Sequence, residues 1–340
     1  MEIPGFIHSI KEFVLKWFLP CGFAVAILVA LTYPEAGTYV SKFKFQGFRI
    51  VQTLNVMVIF FISGLKLKAA EAKAAVSKEG STATIYGLVM ILLVTPLAGF
   101  VAIEIPFQVK EFSYGLAVFA ATPTTIAAGV ALVALSEGNS ALALLLTVFS
   151  NLIGVVTTPF WLKFMLASTD VEIDAVDLLI KMFISVLVPL VIGQVIHNLV
   201  PSTVPWCASH KILLRIISIT SLSMIVWQTI SRSASEILSV SGEAMITIIA
   251  AGFILHIAYL AITWPVCKYV LKLAPAELKA VVIMSTEKPL PVCVAIITFL
   301  TTLGSEGMLT IPAIVGQQTQ LFIDSFIAGK WSEKAPELPQ

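Results

Sequence analysis

About ten apolar runs of membrane-spanning length fill the chain, near 16–33, 47–65, 82–103, 112–136, 139–165, 176–199, 212–231, 244–271, 279–302 and 308–329. That pattern leaves few folds open. A helix crossing the hydrocarbon core needs about 20 mostly apolar residues. No water is present there to bond an exposed N–H or C=O, so runs of this length must satisfy their backbone internally, as helices. The separators, such as "EIPFQVKEF", "LSEGNS", "KLAPAELK" and "GSEG", are mostly short and allow only tight connections. A single membrane domain over 1–335 is expected, with no room for a soluble one. Composition agrees, since 12% of residues are charged and 58% hydrophobic, whereas a soluble domain carries roughly a quarter charged residues. The lipid bilayer is therefore the first partner implied.

The remaining bulk features exclude more than they suggest. A net charge of +1 gives no sign of a nucleic-acid partner. Cys21, Cys207, Cys267 and Cys293 are scattered, which fits neither a disulfide framework nor a metal site. The N-terminal "MEIPGFIHSIKEFVLKWFLP" lacks the pattern of a cleaved signal, so the first run reads as a retained span. The C-terminal "GKWSEKAPELPQ" reads as a short frayed tail. Intramembrane-enzyme motifs are not found and the four histidines do not cluster, so an enzyme is not expected and no cofactor is implied. With both termini cytoplasmic, 13 Lys and Arg fall in inside loops and 7 in outside loops, the bias expected of that orientation. The inside set includes Lys11, Lys16, Lys68, Lys73, Lys78 and Lys334.

Ten spans divide into five and five. "ATPTTIAAGVA" (121–131) and "STEKPLPVCVA" (285–295) share a small-Thr start, an early Pro and a Val-Ala end. "LSEGNSALA" follows the first and "LGSEGMLTI" the second. Because five is odd, the second set enters from the opposite side, which makes an inverted repeat, about 16–165 and 176–330, typical of secondary transporters. Chance matching of apolar sequence is the alternative.

The same two segments carry the candidate site. Pro123 and Pro289 each remove a donor and block the preceding turn. Such breaks persist only when buried in protein or lining a wet cavity. Thr122, Thr124 and Thr125 lie at the first break, and Ser285, Thr286, Glu287 and Lys288 at the second. Broken helix ends meeting at mid-membrane form an ion or anion site; plain Pro kinks are the alternative. Glu287 and Lys288 point about 100° apart on a regular helix, so they need partners elsewhere. Lys288, beside Pro289, is expected at the carbonyl end of its own half-helix, as a fixed cation in the core. Thr147, Ser150 and Asn151, spaced i, i+3, i+4, share a face that either lines the site or packs helices together. Asp324, preceded by Gln317, Gln318 and Gln320, is expected to snorkel to the interface or pair with Lys330. His256 reads as a hydrogen-bonded core histidine.

"FFISGLKLK" (60–68), "TPTTIAAGVALVALSEGNSALALLLTVFSNLIGVVTTP" (122–159) and "STEKPLPVCVA" resemble the bile acid:sodium symporter superfamily, over about residues 15–330. The resemblance is closest to the sodium/bile acid cotransporter 7 branch and to plant plastid sodium/metabolite cotransporters. It implies an all-α fold of ten helices in two inverted five-helix repeats. A panel domain is formed by spans 1, 2, 6 and 7, and a core domain by 3–5 and 8–10, in which discontinuous helices 4 and 9 cross. It implies carriage of a small organic anion or ion by rocking of core against panel. Sodium coupling does not carry over cleanly. Ala128 and Gly129 stand where sodium-coupled members have Ser and Asn, Ile91 where they have Gln, and Met284, Lys288 and Pro289 where they have Glu, Gln and Asn; an alignment that pairs Glu287 with that Glu is the alternative. Thr147 is the only matched side chain, so the sodium site reads as eroded, with Lys288 replacing one ion. The alternative function is a weakly transporting or non-transporting regulator of cellular calcium in the secretory pathway. Plasma membrane or Golgi and ER are expected ahead of a plastid envelope.

Overall fold

The computed structural model describes residues 21–66, 81–125, 128–167, 169, 171–300 and 302–332. The expectations for the N-terminal run before Cys21, for Lys11, Lys16, Lys68, Lys73, Lys78 and Lys334, and for the C-terminal tail from 333 on lie outside them, while the start of that tail, 329–332, is helical and not frayed. The described chain is mostly helical. In order come α1 (Cys21–Thr32), α2 (Pro34–Ser41), α3 (Ile50–Lys66), α4 (Thr82–Glu104), α5 (Lys110–Ala121), α6 (Ala128–Leu135), α7 (Ser140–Leu166) and α8 (Ala175–Leu199). Then follow α9 (Thr203–Ser209), α10 (Lys211–Arg232), α11 (Ala234–Leu238), α12 (Gly242–Val270), α13 (Pro275–Thr286), α14 (Leu290–Ile297) and α15 (Glu306–Ser332).

Six helical stretches are long and apolar enough to cross a membrane among the described residues: α4, α7, α8, α10, α12 and Pro275–Ile297. The helix of the first apolar run ends at Thr32, and the chain turns by 96° before Pro34, where the proline closes α1 and opens α2. The connector after it forms an unexpected hairpin, β1 (Lys44–Phe45) pairing antiparallel with β2 (Phe48–Arg49). Gln46 and Gly47 supply the two positive φ angles, 47° and 83°, that a two-residue hairpin loop requires. Helix starts carry the side chains the connectors offered: Asn139 accepts from Leu142 N–H, Asp174 from Val176 and Asp177, and Ser241 from Ala244.

The chain divides into two compact units, one of Met1–Lys66 with Ile184–Ser239 and one of Leu67–Phe183 with Val240–Gln340. In the first, α3 packs on α10 and on the last three turns of α8. A Cβ built at Gly64 would strike the carbonyl oxygen of Leu190, and one at Gly193 the carbonyl oxygen of Phe61, so the two helices approach backbone to backbone. A backbone atom cannot swing aside as a side chain can. Gly64→Leu is expected to lose about 1–3 kcal/mol, measured as a lower midpoint of thermal unfolding in detergent.

In the second unit α13 and α14 sit centrally. In the most apolar window of Pro275–Ile297, 94% of residues are buried, against 22% for α12. Val281, Val282, Ile283 and Met284 pack into a core with Ile91, Leu92, Leu132, Leu142 and Leu146. α12 and α5 both lie against α15.

Candidate functional site

Three Thr-Pro pairs shape the middle of the second unit. Pro96 interrupts α4, whose backbone widens to a π turn over Met90–Val94 and tightens to a 3-10 turn over Thr95–Leu97. The proline leaves the Leu92 carbonyl without its helical donor, and the Trp161 indole N–H supplies one at 2.8 Å. Thr95 turns its hydroxyl back on the Met90 and Ile91 carbonyls, at 3.0 and 3.1 Å. Pro123 ends α5, where Thr122 is extended (ψ 152°) and its hydroxyl covers the freed Phe119 carbonyl at 2.7 Å. Beside Pro159, the Thr158 hydroxyl reaches the Ala121 carbonyl at 3.2 Å.

The break between α13 and α14 is also real, since Glu287 (ψ 121°) and Pro289 (ψ 114°) are extended. Two glutamines on α15, three residues apart and so on one face, replace what the helix loses. Gln320 Oε1 accepts from Lys288 N–H at 3.0 Å, and its Nε2 donates to the Lys288 carbonyl at 2.6 Å and to Glu287 Oε2 at 3.0 Å. Gln317 Oε1 accepts from Leu290 N–H at 3.0 Å. With Lys288 N–H turned to Gln320, the Met284 carbonyl is left over. The Thr124 hydroxyl, from the other break, bonds it and also lies 3.1 Å from the Glu287 carbonyl.

Lys288 and Glu287 part company, as adjacent residues must. The ammonium of Lys288, 1% exposed, donates to Thr95 Oγ1 at 2.8 Å and to the Thr122 carbonyl at 2.7 Å, with the Tyr259 ring centroid 5.9 Å away. Tyr259 itself donates to the Thr95 carbonyl at 2.9 Å. Lys288 was expected at the carbonyl end of its own half-helix. It lies instead at the C-terminal end of α5, because the extended turn at 287–289 carries the side chain across to the other break. Both its hydrogen-bond partners are neutral. The Glu287 carboxyl, fully buried, goes the other way, to Gln320 and Asp324.

Of the twelve expected site residues, eight converge on this crossing. Asn151 Nδ2 donates to the Thr124 carbonyl at 3.0 Å, and Thr147 Oγ1 lies 3.5 Å from the Thr125 carbonyl. The ring of Pro123 rests where a Cβ on Gly154 would fall, at 2.9 Å. Together with Thr122, Glu287 and Lys288 these form one cluster. Ser150 and Thr286 instead bond carbonyls of their own helices, Pro289 caps α14, and Ser285 is buried with its hydroxyl unpartnered. Asp324 departs from expectation. It is fully buried, and its Oδ1 meets His256 Nε2 at 2.9 Å. Lipid-depth placement on α15 left it a partner on α12, so snorkelling is not needed. Thr95, Tyr259, Gln317 and Gln320 were not singled out as site residues. The repeated Thr-Pro pair was the available signal for Thr95, and two intramembrane glutamines on one face the signal for Gln317 and Gln320.

Comparison with known proteins bears on the whole chain. A family model described as "SBF-like CPA transporter family (DUF4137)" matches residues 16–333. The proteins named "Probable sodium/metabolite cotransporter BASS4, chloroplastic" are 30% identical in Arabidopsis thaliana, over 98% of this chain and 76% of that one. In Oryza sativa subsp. japonica the figures are 32%, 96% and 78%. "Sodium/bile acid cotransporter 7" of Rattus norvegicus is 24% identical over 92% of this chain and 91% of its own. These are names of transporters, not of enzymes, and the regulator reading draws nothing from them. The plant relatives are named chloroplastic, so the expectation that set a plastid envelope behind plasma membrane, Golgi and ER has no support.

Proposed function

We propose, from the premise that this chain belongs to the SBF-like CPA transporter family, that it carries a small organic anion across a bilayer by alternating access. The observation that carries this reading is the Lys288 ammonium, buried where two broken helices meet and bonded only to neutral oxygens in the structure. A buried cation whose hydrogen-bond partners are all neutral, with the neighbouring carboxyl turned away to Gln320, favours an anion. The ten-span plan, with two inverted five-helix repeats at about 16–165 and 176–330 in one domain over 1–335, draws support from the two breaks. Each follows the same small-Thr start, and the Thr124 hydroxyl binds one to the other. Cytoplasmic termini rest on the Lys and Arg bias.

Sodium coupling enters from the relatives' names, and this chain departs from it. Gly129 and Met284, at positions where sodium-coupled members carry Asn and Glu, are neighbours. A Cβ on Gly129 would meet the Met284 sulfur at 2.9 Å and the Thr125 methyl carbon at 2.6 Å. Hard cations take oxygen ligands, and a thioether and a methyl group fill that space here. Lys288 stands in for the missing charge. Purified protein in proteoliposomes, offered mono-, di- and tricarboxylates and a bile salt, is expected to take up at least one of them saturably. The rate should not change when choline replaces sodium. Uptake that climbs steeply with sodium overturns the built-in cation, and absence of any uptake overturns the carrier.

A further inference from the structure

The Glu287–Asp324 contact has too few protons for the atoms it brings together. Ionised carboxylates only accept hydrogen bonds, yet these two carboxyls are neighbours: Gln320, which bonds Glu287 at 3.0 Å, lies one turn before Asp324 on the same face of α15. Glu287 Oε1 and Asp324 Oδ2 are both buried and without a partner. Their other oxygens are committed, Oε2 to Gln320 Nε2 at 3.0 Å and Oδ1 to His256 Nε2 at 2.9 Å. One proton held between the two orphaned oxygens satisfies both.

Charge counting gives the same answer. Among the described residues the buried charged side chains are Glu287, Lys288, Glu306 and Asp324. Glu306 lies at the start of α15, 18 positions and about 27 Å from Asp324 along the helix. The rest, two carboxylates and one ammonium, carry one negative charge, which a single proton cancels. Burying a net charge is costly and burying a neutral set much less so. Of the elements in this part of the fold, α12 brings the ionisable His256, bonded to Asp324, and Tyr259, bonded to Thr95; α14 carries Cys293 and the break itself Lys288. α4 brings Thr95 and α7 Asn151, neither ionisable, while α6 and the last two turns of α5 carry no ionisable side chain. His256 Nδ1 is buried and unpartnered, so the imidazole keeps one free position beside the pair.

The geometry points to a proton as the coupling ion: Glu287 and Asp324 bind one exchangeable proton between them, positioned by Gln320 and His256. On binding, an O–H bond forms on one carboxyl and a hydrogen bond to the other; on release, the proton passes to water and the pair is left doubly ionised. Proton binding itself does not depend on the carrier reading, whereas its use in coupling rests on that reading.

Infrared difference spectra of the purified chain in lipid nanodiscs, recorded between acid and alkaline buffer, test the proton directly. A protonated-carboxyl band is expected in the wild type and lost in both Glu287→Gln and Asp324→Asn, since a shared proton needs both partners. The amide variants nearly conserve shape, and thermal unfolding verifies that they fold. A band that survives in either folded variant, or none in the wild type at any pH, overturns the site. His256→Gln is expected to keep the band; its loss there would mean that the two carboxyls do not hold the proton without the imidazole, and overturns the two-carboxyl site. In proteoliposomes without sodium, an inward proton gradient is expected to drive wild-type accumulation. The two amide variants should accumulate at least about tenfold less while still exchanging substrate across the membrane. Gradient-insensitive uptake in the wild type with the infrared band intact removes the coupling role and leaves the proton site standing.

Discussion

Lys288→Met is expected to reduce anion uptake by at least about 100-fold while leaving the protein as stable as the wild type or more so. The two halves of that result have separate causes. The ammonium is 1% exposed and donates to the Thr95 hydroxyl and the Thr122 carbonyl. Taking an ion out of water costs several kcal/mol, and neutral acceptors repay this less well than a carboxylate does. A methionine of similar length fills the same space without that cost, which offsets the about 1–3 kcal/mol lost where the Thr122 carbonyl is left without its donor. For an anion the change runs the other way. The fixed positive charge is gone, and the carbonyl end of α5 then presents only partial negative charge. Loss of about 3 kcal/mol of anion attraction corresponds to roughly 100-fold in affinity. Uptake in proteoliposomes and thermal unfolding in detergent, run on the same preparation, separate the two. A variant that transports normally removes Lys288 from the mechanism. One that fails to fold makes the ammonium a structural requirement. Lys288→Arg is not expected to restore uptake, because a planar five-donor fork does not match two acceptors set for a compact ammonium.

The plan of this chain was written plainly in its hydropathy, because lipid leaves the backbone few choices. The apolar runs near 139–165, 176–199 and 212–231 became helices 140–166, 175–199 and 211–232. Pro123 and Pro289 marked the breaks for the same reason: a missing N–H shows in sequence. What replaces that N–H does not. Gln317 and Gln320 lie some thirty positions from the backbone groups they bond, and no local pattern pairs them. Asp324 was misjudged because its distance in sequence from Lys330 is short, whereas its partner His256 lies 68 positions away. The side chain of Lys288 followed a general rule, attraction to a helix C-terminus, but the helix was α5 rather than its own. Periodicity places a residue on a helix, and only the fold decides which neighbouring helix it faces.

Gln320 is the side chain through which the break holds its shape, and its loss is expected to destabilise the protein more than loss of its neighbour. In Gln320→Leu, Lys288 N–H, the Lys288 carbonyl and Glu287 Oε2 all lose a partner. A buried polar group left unsatisfied costs about 1–3 kcal/mol. Three of them, partly relieved by local adjustment, amount to about 3–6 kcal/mol. Gln317→Leu strips the Leu290 N–H and a contact to the Glu287 carboxyl, which keeps Gln320 as its donor, and is expected to cost about 1–3 kcal/mol. Because Leu conserves most of the volume, a cavity does not account for the difference, and both changes sit on the same helix at the same depth. The comparison therefore isolates the hydrogen bonds. Function should follow the same order. The Lys288 backbone is clamped by the amide on both its N–H and its C=O, and its side chain reaches Thr122 only from that extended conformation. Releasing the clamp lets the segment wind on as helix up to Pro289, and the ammonium swings away from the α5 terminus. Thermal unfolding of the two variants in one detergent measures the order. Equal stability of Gln320→Leu and Gln317→Leu would mean that the bonds of Gln320 carry no more than those of Gln317, and the break would then owe its shape to Pro289 and Pro291 alone.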